Sequence, residues 1–417
     1  MGPRRVVLRS CRLLLVVNAA AAFLRPFTAL HSQRQRLLAL RGGDSTASTS
    51  LFEGVFEAGD VTLLSGDVFK DVRVAYEVHG EMSAGSDNVI LHPTSFGAKS
   101  ADLRYRIGPG AAHTLDTSKY CVVVVNLLGN GLSSSPSHLH EGKGSLQDYP
   151  MPTMYDNVLL HERMLREELK VNKLAMIFGY SMGAMAALHF AALFPDKVAC
   201  VAAVCGAAKT SHYNRIFLAS LKAALCADAE WDPASQRFTG TPTRGLTAFG
   251  TIYAGWGLSP DFYRAEEFLR RDVGDFTGLE DFLQRGYVEG FLDAEPHDLL
   301  AMLHTWDTGD ISAHPQFNND LAAALGSIRA KTLLMPCATD RYFTVADLEA
   351  EAKLFRPDRV TLLPIPSSWG HRAGDPHRPG QDKQNDFITQ NVRALLASAD
   401  ERPPAEQRKM ENFRGSL

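Results

Sequence analysis

Cysteine is scarce in this chain: six in 417 residues, with no Cys-x-x-Cys pair and no Cys/His cluster. That composition argues against a zinc module and provides no disulfide framework. Cys121, Cys200 and Cys205 fall in or beside apolar runs, where a thiol acts as a small hydrophobe. Long apolar runs are missing too. The stretch from Leu13 to Leu24 is interrupted by Asn18 and is shorter than the roughly 20 residues a membrane-spanning helix needs. Acidic residues are absent before Asp44, while the first 43 residues carry eight arginines. Without them, 35 basic residues face 47 acidic ones. Such a surface repels phosphate, so nucleic acid is not an expected partner. No internal repeat is visible.

The arginine-rich start reads as an address. A basic opening (Arg4, Arg5, Arg9, Arg12), the run LLLVV and small residues in NAAAAFLRP have the form of a signal peptide. A stretch rich in Arg and Ser follows to about Ser50, with the composition of a transit peptide. The combination resembles the bipartite leaders of algae with secondary red plastids, which implies a plastid location. The alternative is a plain secretory signal and a spacer, with secretion or an endomembrane lumen as the destination. Residues 1–50 are therefore set apart as a leader.

From residue 51 the pattern alternates strands and helices. VTLLSG and FKDVRVAYEVHG read as an opening antiparallel hairpin. NVILHP, YCVVVVNLLG, KLAMIFG and VACVAAVCG are short, nearly continuous apolar runs stopped by Gly or Pro, as in strands buried on both faces of a parallel sheet. MYDNVLLHERMLREELK has the apolar spacing of an amphipathic helix. Residues 207–325 look helical, and alternation returns with AKTLLMPCATD and RVTLLPIPSSWGH. The expected fold is α/β: a doubly wound, mostly parallel sheet of the α/β-hydrolase type. Its core would span 51–206 and 326–398, interrupted by a largely helical cap at 207–325 and followed by a disordered tail over 399–417.

Gly179-Tyr180-Ser181-Met182-Gly183 lies between a buried strand and an alanine-rich helix. G-x-S-x-G in that context is a nucleophile elbow. The expected acid is Asp340, just past a strand, with Asp310 as a rival. The expected base is His371, in the loop after the next strand, with His377 as a rival. This is the order Ser, acid, His. The Met182 N–H at the helix start supplies one oxyanion donor; the second comes from HPTSFG, from Thr94 first and Ser95 next. His92 and His161 read as structural. Tyr253, Trp256 and Trp306 read as cap core or as pocket walls. No metal site is expected.

From about residue 60 to 398 the chain resembles the homoserine O-acetyltransferase (MetX-like) family. The carriers are IGPGAAHTLDTSKYCVVVVNLLGNGLSSSPS, GYSMGAMAAL, PCATDRYF and WGH. NGLSSSPS, TRGLTAFGTIYAGWG and PIPSSWGH point to a divergent branch often labelled simply as hydrolases. The resemblance implies acyl transfer through an acyl-enzyme, with Ser181, Asp340 and His371 at the matching positions. It also implies no bound cofactor, acyl-CoA as co-substrate, and a homodimer through the cap. Departures concern the acceptor: Tyr180 and Ala184 flank the elbow where the family has glycines. Arg372 follows the histidine where the family has an aspartate suited to an amine. The family's carboxylate-binding arginine aligns best with Lys222. Homoserine is thus not the expected acceptor, and water, as in an esterase or thioesterase, is the alternative. A non-catalytic ligand-binding use of the fold is the reading of another class.

Overall fold

The short apolar runs become the middle of one eight-stranded sheet. The structure, a computed structural model, describes residues 51–140 and 144–400; the leader at 1–50 and the tail from 401 lie outside the described residues. The strands are β1 (Leu51–Thr62), β2 (Val68–His79), β3 (Val89–Pro93), β4 (Cys121–Val125), β5 (Leu174–Tyr180), β6 (Val198–Val204), β7 (Lys331–Met335) and β8 (Val360–Leu362). Their order is β1-β2-β4-β3-β5-β6-β7-β8. β2 runs antiparallel to β1 and β4, and β3 to β8 are mutually parallel.

Every residue of β3 and β4 is buried. Side chains alternate between the two sheet faces, so unbroken apolar runs such as CVVVV are stable only where both faces are covered. β1 instead alternates exposed and buried residues along much of its length, as befits a strand with one wet face. It begins at Leu51 and ends at Thr62, so the expected strand VTLLSG is mostly turn. The Gly66 N–H donates to the Leu63 carbonyl at 2.9 Å, and Gly66 takes φ +92°, a left-handed angle that glycine adopts without a Cβ clash.

Among the described residues, six helices reach twelve residues or more: α1 (Met154–Glu167), α2 (Met182–Leu193), α3 (His212–Cys226), α4 (Thr243–Gly257), α5 (Pro296–Asp307) and α6 (Asp382–Asp400). α1 starts on a reciprocal cap in which the Thr153 and Asp156 side chains satisfy each other's backbone N–H groups. α2 is buried from Met182 to Ala192, which its alanines and Gly183 permit. α3, α4 and α5 lie in the chain between β6 and β7, together with one short pairing of Trp231–Asp232 and Arg237–Phe238. This segment shares its apolar core with the loops after β7 and β8. Phe217 stacks on Tyr342 at 4.4 Å, Trp306 on Phe343 at 5.7 Å, and Phe262 meets Trp369 edge-on at 5.1 Å.

The chain leaves β3 toward β4 on one side, while β5 lies on the other. The loops after β3 and β5 therefore open a crevice at the carboxyl ends of the strands, where doubly wound sheets bind ligands. Ser181 sits at that crevice. The five described cysteines are all free, four of them buried. Among the described residues, no helix is long and apolar enough to cross a membrane.

Candidate active site

Ser181 joins β5 to α2 with φ 56° and ψ −124°, an angle pair that costs a non-glycine residue energy and is kept at elbows of this kind. Its neighbours explain how the turn closes. A Cβ on Gly179 would lie 2.1 Å from the Gly183 carbonyl oxygen, and one on Gly183 would lie 2.5 Å from the Pro93 carbonyl oxygen. Both spacings are impossible, so each glycine is required by close backbone approach.

The Ser181 hydroxyl lies 2.9 Å from His371 Nε2, and His371 Nδ1 lies 2.8 Å from Asp340 Oδ2. All three residues are buried. With Nδ1–H donating to the carboxylate, Nε2 is the lone-pair nitrogen facing the serine. The other Asp340 oxygen accepts the N–H groups of Tyr342 at 2.7 Å and Phe343 at 3.2 Å, so the carboxylate is fixed at both ends. The imidazole is packed between Tyr180 at 4.9 Å and Tyr342 at 4.5 Å. Low local polarity strengthens such a chain of hydrogen bonds.

The rivals take other places. Asp310 pairs with Lys209 at 2.8 Å and caps a short helical turn through Ser312. His377 pairs with Asp375 at 3.0 Å. Arg341 turns away from Asp340 to the Gly255 carbonyl and the Trp256 ring. His92 and His161 are buried, and the packing of each favours the neutral ring, burial pushing both down to about 3.

One oxyanion expectation is corrected. The Thr94 N–H donates to the Val125 carbonyl at 3.0 Å, because the β3–β4 ladder runs one residue past β3. It is not free for a ligand. Ser95, the second choice, lines the cavity in front of Ser181, and its N–H has no acceptor among the described residues. The Met182 N–H stands at the first position of α2, where helix donors have no partner within the helix.

That cavity measures about 260 Å³ and is also walled by Tyr180, Tyr253, Arg372 and Asp375. Tyr180, Tyr253 and Arg372 thus stand where a ligand would touch them. Two expected binding residues do not. Lys222 is exposed on α3, whose inner face is Phe217, Leu218, Leu221 and Leu225. Trp256 packs against Phe217 and Tyr213 and is absent from the cavity wall. Trp306 is fully buried core. Sequence reading missed Asp375, which accepts the Tyr105 hydroxyl at 2.6 Å and Arg106 at 3.2 Å. It also missed Cys205, whose Sγ lies within 4.8 Å of a carboxylate oxygen of Asp340 and a ring nitrogen of His371. Burial pushes that thiol well above its usual range, which keeps its S–H as a donor beside Asp340.

Residues 87–237 match the family model described as the alpha/beta hydrolase fold. The chain is 35% identical over 309 residues to an ethyl acetate hydrolase of Pseudomonas veronii, covering 72% of this chain and 86% of that protein. It is 29% identical to a homoserine O-acetyltransferase of Haloferax prahovense, over 87% of this chain and 96% of the relative. The solved acetyl esterase MekB superposes with a TM-score of 0.75 at 29% identity, covering 84% of this chain and 97% of that one. With the strand order, the elbow and these likenesses together, the chain belongs to the MetX-like branch of the α/β-hydrolase-fold enzymes.

Proposed function

We propose that the protein is an esterase for short acyl esters, with Ser181 as nucleophile and water as the final acceptor. His371 takes the Ser181 proton as the oxygen attacks the ester carbonyl, while Asp340 holds the tautomer and offsets the positive charge that forms on the ring. The N–H groups of Met182 and Ser95 receive the oxyanion, each contributing roughly 3 kcal/mol in the transition state. His371 then protonates the departing alcohol. In the second half-reaction the same imidazole deprotonates a water that attacks the acyl-serine, and the acid product leaves.

The observation that carries water over an amino-acid acceptor is the position of Arg372. It lines the cavity in front of Ser181, at the position after the histidine where the resemblance implies an amine-binding aspartate, so an ammonium acceptor would meet a guanidinium there. His377, at the wall of the cavity in front of Ser181, is exposed, so one side of that cavity lies at the surface. The ethyl acetate hydrolase and acetyl esterase likenesses support the same reading. Acyl transfer from acyl-CoA to a metabolite hydroxyl is the second reading, supported by the homoserine O-acetyltransferase relatives. Intact-protein mass spectrometry separates the two. The acyl-enzyme is formed with ethyl acetate or acetyl-CoA and chased with water alone or with homoserine. Decay at one rate in both chases supports the esterase; faster decay with O-acetylhomoserine formation overturns it. The plastid address read over residues 1–50 is tested separately, by fusing those residues to a fluorescent protein. Secretion into the medium would refute it.

A further inference from the structure

A second cavity of about 160 Å³ adjoins the one in front of Ser181, and Arg372 lines both. Its apolar walls include Phe262, Phe282, Tyr287 and Trp369, and its cationic walls include Arg378. Arg285 also reaches it but is neutralised by Asp275 and Asp281. The other two guanidinium groups are poorly matched. Arg378 donates to the Gly286 carbonyl at 3.3 Å and lies over the Tyr287 ring at 5.5 Å. Among the described residues it has no carboxylate within ion-pair distance. Arg372 has Asp375 only at 3.8 Å, and its Nε is buried with no partner. Asp375 is already engaged by Tyr105, Arg106 and His377.

Two half-buried cations thus converge on an aromatic chamber with less than one carboxylate between them. Arg372 and then burial hold the Arg378 pKa below its usual value, whereas Asp375 helps to keep Arg372 charged. Half-buried guanidinium groups with spare donors favour an anionic ligand, and a guanidinium fork binds a carboxylate through two parallel hydrogen bonds. Flat apolar walls suit a planar or aliphatic body, so the arrangement selects for a ligand apolar along its length and anionic at its end.

We propose that this cavity is a specificity subsite for a carboxylate-bearing ester, with Arg372 and Arg378 holding the carboxylate and the aromatic walls holding the body next to it. The proposal rests on Ser181 being the nucleophile that attacks the ester carbonyl in the adjoining cavity.

Three acetates of matched shape test it: 4-acetoxybenzoate, its neutral methyl ester, and the cationic 4-acetoxyphenyl-trimethylammonium. The full chain should favour the anion over the neutral ester and the neutral ester over the cation in kcat/KM. The anion-to-neutral ratio should fall about tenfold or more in Arg372→Gln and in Arg378→Gln, while Arg378→Lys keeps part of it. A ratio within about twofold of the parent in both Gln variants, with melting temperatures unchanged, overturns the subsite. Binding of 4-hydroxybenzoate to Ser181→Ala, read by calorimetry, decides the cavity without turnover. Its loss in Ser181→Ala/Arg378→Gln supports the subsite, and its absence in Ser181→Ala refutes it. Failure of all three esters to turn over counts against the nucleophile reading alone.

Discussion

The Tyr180 hydroxyl donates to the main-chain carbonyl of His371 at 3.2 Å. The residue before the serine therefore straps the backbone of the imidazole that faces that serine, across a buried contact in which their rings also pack at 4.9 Å. Tyr180→Phe keeps the ring and removes the strap. Its expected effect is a loss of about three- to tenfold in kcat with KM little changed, since a single neutral hydrogen bond is worth about 1 kcal/mol. Steady-state kinetics on a neutral acetate checks this.

Ser181→Ala should abolish labelling by a fluorophosphonate probe and lower turnover by about 10⁴-fold or more, and Asp340→Asn should cost about 10³- to 10⁴-fold by presenting the wrong tautomer. Persistent labelling of Ser181→Ala would place the nucleophile elsewhere.

The oxyanion assignment separates backbone from side chain. Ser95→Ala keeps the N–H and should stay within a few-fold of the parent, whereas Ser95→Pro removes it and should lower kcat about 10²- to 10³-fold. Equal activity of the two variants, with unchanged melting temperatures, would move the second donor to another residue.

Gly179→Ala puts a methyl group 2.1 Å from the Gly183 carbonyl oxygen. The strand and helix must separate, so a loss of about 2–4 kcal/mol in unfolding free energy is expected, together with loss of activity. Denaturant titration measures it.

Glu77 gives the pH prediction. Burial alone would raise its pKa, but hydrogen bonds from His79, Arg104 and Ser100 prevail and hold it at about 2. The unfolded chain, with the usual value of about 4.3, binds that proton first as pH falls. The stabilisation is therefore complete above about pH 5 and is lost on the way down to pH 2. Glu77→Gln should cost about 1–3 kcal/mol at pH 7 and progressively less below pH 4. A gap independent of pH between 7 and 3 would contradict the ion-pair account.

The sheet centre and the serine were legible because their signals are local. VILHP and CVVVV announce two-sided burial, and the glycines around Ser181 announce a tight turn. Thr94 was misread because register decides whether an N–H is free, and the ladder extends one residue beyond what the apolar run shows. Lys222 was a matter of helical phase: Phe217, Leu221 and Leu225 mark the inner face of α3 and leave position 222 outside. Asp375 and Arg378 sit in GDPHRPGQ, whose Pro and Gly content reads as surface loop. The exposed His377 fits that expectation, while its neighbours turn inward to partners more than 90 residues away in sequence. Such long-range pairing leaves no trace in composition.

The serine and the imidazole that faces it are 190 residues apart in the chain. A nascent polypeptide that has already formed the elbow still lacks His371 until its final strand and loop have left the ribosome. Until then Ser181 is an ordinary hydroxyl with no neighbour to accept its proton. Under the proposed roles, chemical competence arrives late, as a timer set by chain position, and a translation product that stops before His371 lacks the base for Ser181.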